Sequence, residues 1–306
     1  MKKNYAFFTL NKNFELAHSV ASFFNRPLHE VQIDRFADSE VRVVLPKAED
    51  FFGITAFIIH STNAPVHDNL MQLLMVVHAL KQRNVSRVVA VVPYFGYARQ
   101  CLENGKPGAA VLIAHLVQTA GVEALVVVEP HDRQLKQLFS IPFYTVSVHE
   151  LIAEHIKKTI PNLSSCCIVA PDRGAQERVQ KIADYLGLSM MTFGKERYGV
   201  NQVRITGVEG TCPGECAIII DDIIDTGQTA LQVCQELLNG GVQTIYGYFV
   251  HPVLSGDAIK RLLSSPFKKI FITDSLPLSV AIPKSMGVLS IAESVTNVIK
   301  RVIDEQ

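Results

Sequence analysis

The segment Asp221-Asp222-Ile223-Ile224-Asp225-Thr226-Gly227-Gln228-Thr229 constrains this chain more than any other. It follows the apolar run Ala217–Ile220 and precedes the helical pattern that starts at Ala230. Two adjacent carboxylates therefore stand at the carboxyl end of a buried strand, and a short Thr/Gly loop then opens a helix. Helix N-terminal amides are already aimed at an anion. Gly227 lets the backbone approach that anion closely, and Thr226 and Thr229 add hydroxyl donors. Asp221 and Asp222 can accept hydrogen bonds from vicinal hydroxyls. A phosphorylated sugar satisfies every part of this pattern. Helix capping alone explains a charged turn, but not the spacing DDxxDTGxT.

Strand-like and helix-like segments alternate along most of the chain. Apolar runs predict buried strands at Tyr5–Leu10, Ile54–His60, Arg87–Val92, Leu125–Glu129, Cys167–Ala170, Ala217–Ile220, Ile245–Val250 and Ile270–Thr273. Amphipathic stretches predict helices at Asn69–Lys81, Ala109–Thr119, Glu150–Ile160 and Ala175–Leu186. Such alternation makes an α/β protein of parallel sheets flanked by helices. The strands are too many for one sheet, so 306 residues read as two α/β domains of about 150 residues each. The expected boundary falls near Ser147, giving domains 1–146 and 147–306, with the last helix packing back on the first domain. Val31–Arg35 and Val41–Leu45 flank Phe36–Glu40 as a hairpin or flap.

Lys+Arg and Asp+Glu are both 29, so no global field draws the chain to nucleic acid or to an anionic membrane. A phosphate site must then be local, and low net charge favours self-association. No stretch approaches the roughly 18 apolar residues of a membrane span, and the N-terminal apolar run is too short for a signal segment, so the expected location is cytoplasmic. The six cysteines read as free thiols, and Cys212–Cys216 lacks the second half of a metal site.

Several motifs now line up in order: FADSEVRV at 36–43, STNAPVHDNLMQLL at 61–74, VVPYFGYARQ at 91–100, EPH at 129–131, APDRGA at 170–175, KER at 195–197, DDIIDTGQT at 221–229, HPVLSGDA at 251–258 and IAES at 291–294. In these the chain resembles the ribose-phosphate pyrophosphokinases, or PRPP synthetases, over nearly its whole length. APDRGA and HPVLSGDA look closer to archaeal-type members. The resemblance implies two type I phosphoribosyltransferase-like domains, and transfer of the β,γ-diphosphoryl group of Mg-ATP to the C1 hydroxyl of ribose 5-phosphate. It also implies a homo-oligomer built from dimers, often a hexamer, in which the flap of one subunit completes the ATP site of another.

Carried over by resemblance, ribose 5-phosphate meets Asp221, Asp222, Asp225, Thr226, Gly227, Gln228, Thr229 and Arg197. ATP meets Phe36, Asp38, Glu40, Arg99, Gln100 and His131, with Phe36 stacking on the base and Arg99 on phosphate oxygens. His131 and Asp172 match the family's Mg²⁺ positions, although Mg²⁺ prefers oxygen ligands and His131 suits ATP phosphate equally well. Lys195 and Arg197 match the catalytic loop and are expected to close, on a mobile loop, over charge that develops in the transition state. Without the resemblance, a histidine after a strand and a KER cluster are ordinary structural residues.

The chain departs from the family after YARQ. Where members continue with Asp and then Lys or Arg, this chain has Cys101-Leu102, and the hydroxyl-bearing position further on is Ala109. His67 and Gln72 stand where members have Asn and Glu. Loss of a charged hydrogen bond costs about 1.5–3 kcal/mol, so ATP affinity or rate is expected to fall by roughly one or two orders of magnitude. Two other readings use the same loop: a catalytically weak paralogue that regulates a partner synthetase, and a salvage phosphoribosyltransferase.

Overall fold

The structure is a computed structural model that describes residues 4–11, 14–46, 51–103, 106–199, 202–278 and 282–305; within 102–107 and 195–205 it describes the backbone alone. The chain divides into two compact units. Unit 1 comprises Met1–Ser147, Asp274–Leu278 and Ser290–Gln306, and unit 2 comprises Val148–Thr273 and Ser279–Leu289.

Unit 1 runs β1 (Tyr5–Thr9), α1 (Glu15–Phe23), β2 (Leu28–Glu30), β3 (Gln32–Arg35), β4 (Val41–Val44), β5 (Thr55–Ile59), α2 (Val66–Gln82), β6 (Arg87–Val92), β7 (Leu102–Glu103), β8 (Lys106–Pro107), α3 (Ala109–Thr119), β9 (Ala124–Val128) and β10 (Phe143–Val146). Among the described residues its sheet has the order β10-β9-β6-β5-β1-β2, parallel throughout. The cause is legible in β5 and β9, where every residue is buried. Strands apolar on both faces need helices on both faces. On one face, Leu73, Val76 and Leu80 of α2 and Ile113 and Val117 of α3 pack against Ile58, Val88, Ala90 and Val127. β3 and β4 form the expected flap hairpin.

Unit 2 runs α4 (His149–Thr159), β11 (Cys166–Ala170), α5 (Gln176–Leu186), β12 (Met190–Gly199), β13 (Gln202–Gly210), β14 (Cys216–Ile224), α6 (Gln228–Asn239), β15 (Thr244–Pro252), α7 (Ala258–Leu263), β16 (Phe267–Thr273) and β17 (Met286–Leu289). Its sheet has the order β13-β12-β11-β14-β15-β16-β17, parallel except where β13 returns antiparallel beside β12. The last helix, α8 (Ala292–Asp304), belongs to unit 1, where it packs on α1 and β10. Among the described residues no helix is long and apolar enough to cross a membrane.

Two expectations are corrected. The segment around Lys195 and Arg197 is strand, not loop: β12 continues through both and pairs Lys195 with Ile205 and Arg197 with Val203, with a register shift at Gly194/Lys195. A glycine at such a shift marks a bulge in a ribbon. The cysteines are not all free thiols, because Cys167 is bonded to Cys212 with a Cα separation of 5.2 Å. The β12–β13 ribbon returns the chain to the start of β14, beside β11, and so brings together residues 45 apart in sequence. Cys101, Cys166, Cys216 and Cys234 are free and buried.

His60, directly after β5, is 4% exposed, and its Nε2–H donates to the Asn69 carbonyl at 3.2 Å. Burial pushes its pKa down from 6.5 to about 4, against a smaller opposing effect of the Asn69 bond. The folded state therefore binds fewer protons than the unfolded state between these values, and stability falls as pH drops through that window. Relative to His60→Gln, the native protein is expected to lose roughly 2–3 kcal/mol between about pH 7 and pH 4.5, read by denaturant unfolding. Equal losses in the two proteins would show that His60 is not the titrating group.

Candidate functional site

At the carboxyl end of β14 the two aspartates differ in their surroundings. Asp222 is 4% exposed, and its Oδ1 lies 3.0 Å from Nη1 of Arg178, itself 7% exposed on α5. Asp221 is less covered, and its Oδ1 accepts from the Asp222 main-chain N–H at 2.9 Å. Burial raises the Asp221 carboxyl well above the ordinary range; the charges of Asp222 and Asp172 raise it further, and Arg178 opposes them. Asp172 therefore lies within electrostatic reach of the pair. It follows β11, the parallel neighbour of β14, so both strands discharge at one edge of the sheet.

The turn after β14 leads into α6. Gly227 sits at the helix N-cap with φ 77°, a left-handed conformation open to glycine at little cost. It is buried against Leu262, and Nη1 of Arg261 donates to the Thr226 carbonyl at 2.8 Å. These contacts on α7 hold the turn from behind. No side chain caps α6 through Gly227, the Gln228 N–H makes only a long 3.5 Å bond to Thr226 Oγ1, and the positive end of the helix dipole stands at this turn. Asp172 opens α5, its Oδ1 accepting from Ala175 N–H at 3.0 Å, while Arg173 pairs with Glu209 of β13. The side chains of Lys195 and Arg197 lie outside the described residues.

In unit 1, Arg99, Gln100 and His131 follow the carboxyl ends of neighbouring strands, while Phe36, Asp38 and Glu40 lie on the separate β3–β4 hairpin. Arg99 and Gln100 are exposed on a single 3-10 turn, Ala98–Gln100, shortly after β6, and the exposed His131 follows β9, the parallel neighbour of β6. The loop after β6 is tied to the end of β9 by Val128 N–H to the Pro93 carbonyl, 3.2 Å. Gly96 carries this loop over Thr62: its N–H donates to Thr62 Oγ1 at 2.7 Å, and a Cβ there would lie 2.5 Å from the Thr62 carbonyl oxygen. Tyr97 takes φ 68°, and its hydroxyl lies 2.5 Å from His67 Nδ1. Phe36 is 54% exposed at the flap tip, whose turn is closed by Phe36 N–H to the Glu40 carbonyl and by Glu40 N–H to Asp38 Oδ1, 3.1 Å. Cys101 points inward, 2% exposed, with Sγ 3.4 Å from the Ala98 carbonyl. Burial, and to a lesser degree the charge of Asp132, pushes its thiol up to about 11.

Similarity to known proteins decides what this arrangement belongs to. Residues 5–121 match the model of the N-terminal domain of ribose phosphate pyrophosphokinase, and residues 202–306 match that of the phosphoribosyl synthetase-associated domain. The chain is 34% identical over 303 residues to the ribose-phosphate pyrophosphokinase of Brucella melitensis, covering 98% of this chain and 97% of that one. It is 35% identical over 274 residues to the corresponding Ralstonia nicotianae protein, covering 89% and 85%. The crystal structure of phosphoribosylpyrophosphate synthetase from Mycobacterium smegmatis superposes with a TM-score of 0.86 at 28% identity, covering 99% of this chain and all of that one. The chain belongs to the ribose-phosphate pyrophosphokinase family. The expected fold of two phosphoribosyltransferase-type α/β units agrees with that neighbour and with the observed sheets.

Sequence reading missed Arg178 and Arg261. Arg178 is spaced with Ala175, Val179 and Ile182 on the buried stripe of α5, and a lone arginine on such a stripe was the available signal. Because Gly227 is left-handed, Gly227→Ala is expected to cost about 1–2 kcal/mol of stability. A shift in denaturation midpoint checks this; an unchanged midpoint would mean that the turn relaxes to another conformation.

Proposed function

We propose that this chain transfers the β,γ-diphosphoryl group of ATP to the C1 hydroxyl of ribose 5-phosphate, giving PRPP and AMP. The observation that carries the reading is the Asp221–Asp222 pair set against the glycine turn at the N-terminus of α6, in a chain that matches this family along its length. The first amides of α6, with Thr226, Gln228 and Thr229, take the 5-phosphate, and Asp225 stands at the entry of the turn. Asp221 and Asp222 accept from the ribose hydroxyls.

In unit 1, Phe36 stacks on the adenine while Asp38 and Glu40 accept from base and ribose; the exposed ring suits this task. Arg99, Gln100 and His131 meet the triphosphate. The C1 oxygen attacks the β-phosphorus, the bond to the α,β-bridging oxygen breaks, and AMP leaves with the electron pair as the hydroxyl proton is released. Little covalent chemistry is required of the protein, so positioning and charge neutralisation dominate. Lys195 and Arg197 are assigned as the cations for that charge, with Arg197 also assigned to the sugar phosphate.

Mg²⁺ fits the donor set. Asp172 of unit 2 offers a carboxylate oxygen within electrostatic reach of Asp221, and His131 of unit 1 is the other position that the resemblance gives. Mg²⁺ takes few protein ligands, keeps waters and substrate oxygens, and would neutralise phosphate charge when bound. We further propose a cytoplasmic homo-oligomer built from dimers, in which one subunit's flap serves another's ATP site.

The test is AMP formation from Mg-ATP with and without ribose 5-phosphate. AMP that appears only with the sugar, matched by an equal amount of PRPP, is expected. Sugar binding without any AMP would instead favour a regulatory paralogue.

A further inference from the structure

Arg178 is buried beside the aspartate pair, yet none of the motifs that mark this chain includes it. Its guanidinium meets Asp222 at 3.0 Å, and the two side chains are only 8% and 5% exposed. A buried ion pair of this kind is weak evidence for a stabilising role, because well-packed apolar residues of similar volume do as well or better. What an apolar pair cannot do is hold a carboxylate in one orientation. A guanidinium is planar, always charged and directional, and so fixes both the ionisation and the rotamer of its partner. The carboxyl of Asp221 accepts the main-chain N–H of Asp222 at 2.9 Å, so its placement depends in turn on that residue.

We propose that Arg178 is a positioning residue for the sugar site, acting through Asp222. Held on the α5 side, the Asp222 carboxylate is set in one orientation toward a hydroxyl of a vicinal diol, and the backbone it anchors sets Asp221 for the other. Arg178 touches no substrate. The inference rests on the assignment of ribose 5-phosphate to this edge of unit 2.

The experiment is steady-state PRPP synthesis by the full-length protein carrying Arg178→Gln, Arg178→Lys, Asp222→Asn, or Arg178→Gln with Asp222→Asn. Arg178→Gln is expected to raise KM for ribose 5-phosphate about tenfold or more while KM for ATP moves less than about threefold. Arg178→Lys, which keeps the charge without the fork, should recover part of the loss. In the Asp222→Asn background, removing Arg178 should add less than about threefold, because the partner through which it acts is gone. An unchanged sugar KM, or a full loss repeated in that background, would overturn the proposal. If circular dichroism shows Arg178→Gln misfolded, Arg178→Lys decides, and a native sugar KM there overturns it as well. Should the native protein make no PRPP, the functional reading fails separately. Calorimetric titration of ribose 5-phosphate into native protein and Arg178→Lys then decides the present point, with equal affinities counting against it.

Discussion

Parallel pairing of neighbouring strands is the constraint on which the rest of this structure depends. β11 and β14 run side by side in one direction, as do β6 and β9. Each pair therefore releases its chain at one edge, and the loops that follow are neighbours whatever their sequences. Asp172 reaches Asp221 electrostatically for this reason, and the Arg99 loop is tied to the strand that leads to His131 for the same reason. Continuous apolar strands commit the sheets to burial, burial commits the chemistry to loops, and parallel order commits those loops to one side.

The second constraint is electrical. With 29 cationic and 29 anionic side chains, the chain carries no net field, so a phosphorylated ligand has to be recognised by local dipoles and individual cations. The N-terminus of α6 supplies such a dipole without spending a charged residue. Arg261 contributes indirectly, since it binds the Thr226 carbonyl and so braces the turn. Three carboxyls gathered at one edge would repel one another; Arg178 compensates one of them, and burial with the charges of Asp222 and Asp172 raises the Asp221 carboxyl.

Much of this was legible in the sequence, and the exceptions have physical causes. Eight strands announce themselves because strands that are mostly buried are continuous apolar runs. The Asp221–Thr229 segment could be read because its residue types are explained together by phosphate and diol chemistry, and by little else. The β12–β13 ribbon could not, since an antiparallel ribbon rich in charge and glycine looks like a loop. The Cys167–Cys212 bond could not, because nothing in the spacing of those residues reveals that β13 brings them together. Arg178 was hidden for a different reason: its partner is 44 positions away and only the fold makes it interior. Cys101, where the resemblance leads one to expect a charged residue, turns inward as part of the unit 1 core. The altered loop is in that respect a change of packing as well as of charge.

The central claim is that the edge of unit 2 grips a phosphorylated pentose through main-chain amides and paired acids. Crystals of the protein grown with ribose 5-phosphate test it most directly. The account predicts the phosphate within hydrogen-bond distance of the amides of Gly227, Gln228 and Thr229, with the ribose hydroxyls on Asp221 and Asp222. A sugar bound elsewhere, or a 225–229 turn filled by the protein's own side chains, would contradict it.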